Sequence, residues 1–332
     1  MFKEDFERAF VAKKLEKYRA NQVFDWVFKK NVNDFSEMNN LPLDLREKLS
    51  NIFTLDKLKI LTKSKSDDGT CKYLLELSDG NKIECVYLPY EDRKSICVST
   101  QIGCAVGCSF CASGDMGFER NLTASEIINQ ILIVQNDIKE KITHVVFMGI
   151  GEPLLNMDNV PYAIKLINHN LEISQRRITI STVGIIRGIK KLADMNLDIT
   201  LALSLHEVTQ DKRAEIIPIA KLNLLDDLLD SCDYYFNKTK RRITFEYLLI
   251  DGINSSPYHG NQLARIARKH KAHINIIPYN IVDGKNLKRP SKKTIDSFCK
   301  ILSDKNIVFS KRMEKGSNEQ SACGQLRINS SK

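Results

Sequence analysis

Three thiols lie within eight residues: Cys104, Cys108 and Cys111, in a C-x3-C-x2-C arrangement. Three thiolates do not complete the tetrahedral shell of a structural zinc ion. They do hold three irons of a four-iron cluster and leave the fourth open to a ligand from outside the protein. A zinc knuckle would want a fourth Cys or His close by, and the next histidine along the chain is His144. Gly103 and Gly107 permit the sharp backbone path that turns three side chains toward one centre. Cys104, Cys108 and Cys111 are therefore the candidate metal ligands. A non-catalytic, metal-stabilised module is the reading of another class.

Such a loop needs a scaffold with an open rim. Between Ser95 and about Arg312, strand-like and helix-like stretches alternate. The strands predicted are 95–99, 144–148, 178–182, 199–205, 243–249 and 274–277. The helices are 124–139, 159–168, 185–195, 222–236, 257–269 and 291–304. Six βα units predict an α/β fold with a parallel sheet, an incomplete (β/α)6 barrel. In such folds chemistry sits at the C-terminal ends of the strands. The cysteine loop directly follows the first strand. Polar groups end four others: Gly151 and Glu152, Ser181, Ser204 to His206 through Leu205, and Asn280. His206 alone would often be a structural histidine.

Two further regions precede the barrel, and a tail comes after it. Residues 1–56 read as a small helical accessory domain, with Phe6, Phe10, Val23, Phe24 and Val27 at helical spacing and Trp26 as core. Residues 57–92 read as a short β extension with strands 58–62, 72–77 and 83–88, parted by the turn pairs Asp68–Gly69 and Asp79–Gly80. Alternation places Glu84, Val86 and Leu88 on one face. On spacing alone Glu84 reads as an edge-strand carboxylate in water. Residues 93–312 form the barrel. The tail, 313–332, reads as a mobile loop carrying Cys323.

Apolar residues make up 42% of the 332, enough for a sizeable core. No apolar run approaches the roughly 18 residues of a membrane helix, and the first residues, MFKED, have no apolar signal core. A cytoplasmic protein with no membrane partner is expected. Nine cysteines suit reduced thiols with metal or catalytic duties better than a secreted disulfide scaffold. A net charge of +9 points to nucleic acid. Basic clusters stand at 238–242, at Lys288, Arg289, Lys292 and Lys293, and at Lys311, Arg312 and Lys315.

With Phe110 before the last cysteine, the C-x3-C-x2-C loop resembles the radical S-adenosylmethionine (SAM) superfamily. MGIGEP at 148–153, STVG at 181–184, SLH at 204–206 and PYN at 278–280 resemble its remaining markers. The likeness implies one [4Fe–4S] cluster per chain, SAM chelated at the open iron, and SAM cleaved to a 5′-deoxyadenosyl radical. CVSTQIGC at 97–104, GFERNLTASEII at 117–128 and ACGQL at 322–326 are more specific. With YRANQVF at 18–24, they resemble the RlmN/Cfr family of RNA adenine methyltransferases along nearly the whole chain.

Carbon 2 of adenine is too electron-poor to attack a methyl sulfonium, whereas a thiolate does so readily. The resemblance implies that one SAM methylates Cys323. A second SAM in the same turnover supplies the radical that activates that methyl group for addition to the ring. Cys97 is then the resolving thiol, which releases the product through a disulfide, and Glu84 accepts the ring proton. The implied substrates are 23S rRNA and tRNA, with carbon 8 of 23S rRNA adenine, the Cfr-type reaction, as the alternative. An external reductant such as flavodoxin or ferredoxin and a monomeric state are expected. Cys71, Cys85, Cys232 and Cys299 match no catalytic position. Two departures stand out: NEQS at 318–321 where the family often has DIDA, and Ile281 where a proline is usual.

Overall fold

The computed structural model describes residues 1–55, 57–312 and 324–326. Three helices come first: α1 (Lys3–Ala12), α2 (Lys17–Phe28) and α3 (Leu43–Ile52). Phe6 meets Phe24 edge-on, and Phe10 stacks on Phe53. These i, i+4 aromatics build a core that includes Trp26, buried as expected. The helices are not isolated from the barrel. The Asn31 amide donates to the Leu132 carbonyl, and Phe2 packs edge-on against Tyr162.

Strands β1 (Lys59–Lys65), β2 (Cys71–Glu76) and β3 (Lys82–Pro89) form an antiparallel meander. After β4 (Lys94–Cys97), a small hairpin of β5 (Gln101–Gly103) and β6 (Phe118–Asn121) brackets the cysteine loop. Next come α4 (Ala124–Ile138), β7 (His144–Phe147), α5 (Val160–Asn170), β8 (Ile178–Thr182), α6 (Ile186–Asp194) and β9 (Thr200–Ser204). The last group is α7 (Gln210–Ile216), α8 (Leu225–Thr239), β10 (Thr244–Leu249), α9 (Pro257–Lys269), β11 (His273–Pro278), α10 (Lys292–Asp304) and β12 (Phe309–Lys311).

The main sheet has ten strands in the order β1-β2-β3-β4-β7-β8-β9-β10-β11-β12. From β4 onward every neighbour is parallel. The pairing of β3 with β4 carries the meander directly onto the barrel sheet. Among the described residues β1 and β12 do not pair, so the barrel stays open. β12 is a seventh parallel strand that periodicity does not disclose, because three residues are too few to show a period.

Alternation gives the sheet two chemically different faces. Ile83, Cys85, Tyr87, Ile96, Val145 and Phe147 join the large apolar core with the helices. Val86, Leu88, Cys97, Val146 and Met148 point the other way, into the concave side. By the same two-residue period Glu84 shares that concave face. It is not an edge carboxylate in water: β3 is flanked by β2 and β4, and Glu84 is 5% exposed. Alternation in a sequence assigns residues to faces but not which face will be covered.

Candidate active site

The cysteine loop is closed on itself by short-range geometry. Cys104 N–H donates to the Gly117 carbonyl at 2.7 Å, tying the loop's start to its end. Gly103 has φ +70°, and a Cβ there would fall 1.8 Å from Gly117 O. Only glycine allows that closure. Ser109 N–H donates to Ile216 O at 3.0 Å, and the Phe110 ring lies edge-on to His206 at 4.9 Å. The loop is thereby pinned to the C-terminal ends of β9 and α7.

A cavity of about 750 Å³, counting its open mouth, lies beneath the loop. Cys104, Cys108, Cys111, Gly151, Glu152, Ser181, Ser204, His206 and Gly324 all line it. Several strand ends therefore converge on the three thiols, as the spacing of the motifs predicts. Burial pushes the Cys104 thiol up to about 11, and Cys108 further, each thiolate also opposing its neighbours. A cationic centre is what would hold them deprotonated. Among the described residues no three His, Cys, Asp or Glu side chains converge tightly enough for a single ion. Three spread thiols suit the corners of a multi-iron cluster, with Cys104 and Cys111 only partly covered.

Glu152 is 3% exposed and its carboxylate accepts from Leu154 N–H at 3.0 Å and Val183 N–H at 2.9 Å. Burial still raises it to about 7. Gly151 sits at φ +104° against Gln101, where a Cβ would come within 2.6 Å of the Gln101 side chain. Gln101 Oε1 in turn accepts from Glu152 N–H at 2.8 Å. The Ser181 and Ser204 hydroxyls are 3.2 Å apart. His206 adopts φ +56°, and its Nδ1 accepts from Leu248 N–H at 3.1 Å. Burial and the nearby Arg213 charge lower it to about 3, so it is a neutral imidazole.

Not every candidate lines the cavity. Leu205 has a buried side chain, and its carbonyl accepts from Arg213 Nε at 3.0 Å. Asn280 is buried, and among the described residues its Oδ1 has no hydrogen-bond partner. Such an orphaned acceptor fits a site that a ligand's N–H completes. Glu84 and Cys97 stand further along the concave face, outside the cavity lining. Cys323 lies outside the described residues. Its neighbours do not: Gly324 O accepts from Ala112 N–H at 2.8 Å, Ser113 Oγ donates to Leu326 O at 2.7 Å, and Gln325 Nε2 donates to Ile281 O at 2.7 Å. Leu326 is buried in one cluster with Cys97, Val86 and Leu88. At 324–326, then, the tail is docked, which corrects the expectation of a mobile loop there.

Several residues of the site escape sequence reasoning. Arg213, fully buried, ties Leu205 O, Ser204 O (3.2 Å) and Val183 O (2.5 Å) together under the cavity. Ser99 donates to Glu84 O at 2.6 Å and accepts from Ile150 N–H at 2.9 Å, joining β3 to the glycine-rich turn. Glu246 and Arg312 also line the cavity. Arg312 stands out in the sequence only as part of a basic cluster; an isolated charge or serine usually marks a solvated surface, so nothing singles the others out.

Residues 1–55 match the ribosomal RNA large subunit methyltransferase N-terminal domain, and residues 98–259 match the radical SAM superfamily. The chain is 48% identical over 318 residues to the probable dual-specificity RNA methyltransferase RlmN of Thermotoga maritima, covering 95% of this chain and 92% of that protein. It is 45% identical over 312 residues to the protein of the same description from Caldicellulosiruptor saccharolyticus, covering 93% and 90%. The chain belongs to the RlmN family of radical SAM RNA methyltransferases. A radical SAM methyltransferase from Sphaerobacter thermophilus superposes with a TM-score of 0.95 at 37% identity, covering 98% of each chain.

Family membership makes the chain a SAM-dependent enzyme that works with a [4Fe–4S] cluster. The non-catalytic module is thereby set aside. The fold expectation, a radical SAM α/β sheet with helices ahead of it, holds. Among the described residues no helix is long and apolar enough to cross a membrane.

Proposed function

We propose that the chain methylates carbon 2 of adenine in 23S rRNA and tRNA through a methyl group carried on Cys323. Cys97 acts as the resolving thiol and Glu84 as the acceptor of the ring proton. The observation that carries this reading is the anchored segment 324–326. It begins one residue after Cys323, hydrogen-bonds to the turn behind Cys111, and buries Leu326 in the cluster that contains Cys97. A methyl carrier needs reach to both the radical source and the resolving thiol, and this segment touches both regions.

When bound, the cluster supplies the electron that cleaves SAM to its radical. The chain's own residues do the rest. Glu152, with the Gly151 backbone, receives the amino group of SAM. Ser181, Ser204 and the backbone around Leu205 and His206 meet its polar groups. Asn280 supplies an acceptor for the adenine amine. Neutral His206 packs against Phe110 and keeps water from the loop. Glu84 takes the proton from the ring carbon. The unpaired electron left on the adduct would pass to the oxidised cluster; the Cys97 thiolate then attacks the Cys323 sulfur, the S–CH2 bond breaks as a disulfide forms, and the departing methylene carbon takes a proton to become the methyl group. Each turnover uses two SAM molecules, and an external donor such as flavodoxin or ferredoxin supplies the electrons that the cluster would need and that return the disulfide to two thiols. The chain acts as a cytoplasmic monomer, organised as accessory domain, β extension, barrel and tail. The carbon-8 alternative uses the same residues. The relatives' dual-specificity description favours carbon 2.

Cys97→Ala tests the relay. Incubated anaerobically with SAM, reductant and tRNA, it should accumulate RNA covalently joined to Cys323, visible as a shifted band on a denaturing gel. Free turnover by this variant would remove Cys97 from the mechanism. Mass spectrometry of digested wild-type product should find 2-methyladenosine and no 8-methyladenosine.

A further inference from the structure

We infer that Lys72 is a positioning residue for the proton-transfer step, holding the Glu84 carboxylate ionised and fixed on the concave face. The inference rests on the reading of Glu84 as the proton acceptor. Lys72 Nζ lies 3.2 Å from Glu84 Oε1, and the two side chains are 17% and 7% exposed. Register explains the meeting. Lys72 stands opposite Val86 and Leu74 opposite Glu84, so the two charges are diagonal neighbours on one face of β2 and β3. A four-carbon stem spans that diagonal. A lysine with a free choice of surface would keep its head in water; this one is drawn under cover toward the carboxylate.

The chemistry requires such a partner. A carboxyl group this deeply covered tends toward its neutral form unless a cation stands within about 4–6 Å. A neutral acid takes no further proton. In the step assigned to Glu84 the ring C–H bond breaks, its proton goes to a Glu84 oxygen, and its electron pair stays in the heterocycle. Lys72 stands beside that carboxylate, 3.2 Å from Oε1. Before the step it favours the anion that does the work. Afterwards it stands beside a neutral acid, which favours passing the proton on to solvent and resetting the base. From β4 the same face presents Cys97. The remaining charges that register places on this face of the meander are Lys59, Glu76 and Lys82; Glu76 is the other diagonal neighbour of Glu84, and Lys82 lies two residues before it with its side chain exposed. Lys59 and Glu76 pair with each other at 3.8 Å.

A simple staple between β2 and β3 would contribute stability and leave the order of steps alone. Positioning of the base instead predicts an arrest at one stage. With the reconstituted full-length enzyme, Lys72→Met should still cleave SAM and join RNA to Cys323, yet release methylated RNA about 100-fold more slowly. The covalent adduct should accumulate on a denaturing gel. Lys72→Arg, which keeps the charge, should restore release to within about tenfold of wild type. Where Lys72→Met does not fold, Lys72→Gln against Lys72→Arg carries the same comparison. Wild-type release by the neutral variants, or failure of Lys72→Arg to recover, overturns the inference. Glu84→Gln run in parallel separates the two readings. If Glu84→Gln traps adduct and the neutral Lys72 variants do not, Lys72 alone loses its role. If Glu84→Gln releases product freely, the assignment of Glu84 fails first.

Discussion

Glu152 keeps its proton to a higher pH than a carboxylate in water, because burial outweighs the two backbone N–H groups that it accepts from. The sign of the consequence is fixed by linkage. Its folded value, about 7, lies above the ordinary 4.5, so the folded state binds the extra proton. The stability this contributes is present in full below pH 4.5 and is lost as pH rises through 7. In the SAM-free protein, the melting temperature of Glu152→Gln relative to wild type should therefore rise between about pH 4.5 and about pH 7.5. A constant difference across that range would count against the burial argument. Glu152 was legible in the sequence because it follows a glycine-rich turn after a strand. Glu84 was legible as a role only through family likeness, since strand alternation does not say which face is covered. Lys72 and Arg213 were not legible at all. A charged residue in a short strand or helix looks the same in sequence whether its head is solvated or buried against a partner.

At the scale of elements, the hairpin of β5 and β6 decides whether the thiols converge. Gly103 is its tightest point, with the Gly117 carbonyl where a side chain would begin. Gly103→Ala should open the loop. We expect iron per chain to fall well below four after anaerobic reconstitution, while far-UV circular dichroism of the large sheet stays near wild type. Retention of full iron would show that the loop closes by another path. The strands that carry the barrel were legible, because four to eight apolar-rich residues bounded by turns are a strong signal. β5, β6, β12 and α7 were not, each being seven residues or fewer, too short for a repeating apolar pattern to stand out. α7 is the consequential omission, because it delivers Arg213 to three strand-end carbonyls.

For the whole molecule, the question is where RNA approaches. The cluster at 238–242 precedes β10, at the end of the sheet opposite the cavity. Two of its charges are engaged there: Lys238 with Asp194 at 3.6 Å and Arg241 with Asp198 at 3.3 Å. Lys288, Arg289, Lys292 and Lys293 come after β11, at the same end as the cysteine loop. Replacing Lys288, Lys292 and Lys293 together by Ala should weaken tRNA binding and shallow the slope of log Kd against log salt by about two to three. The same change at Lys238, Lys240 and Arg242 should leave the slope unaltered. Nitrocellulose filter binding across a salt series measures both. Equal losses would place the RNA along the side of the barrel and not over its mouth.

The docked segment at 324–326 has a kinetic consequence. Gly324 is held by Ala112, and Leu326 is buried in the cluster that contains Cys97, so in the proposed relay carrier and resolving thiol belong to one chain and need not diffuse together. A reaction between two thiols that would be second order in free solution becomes first order, at an effective concentration in the millimolar range or above. Resolution then no longer waits on the cellular thiol pool. If the proposed relay operates, a few hydrogen bonds and one buried leucine at 324–326 set how fast an RNA, once joined to the protein, is let go.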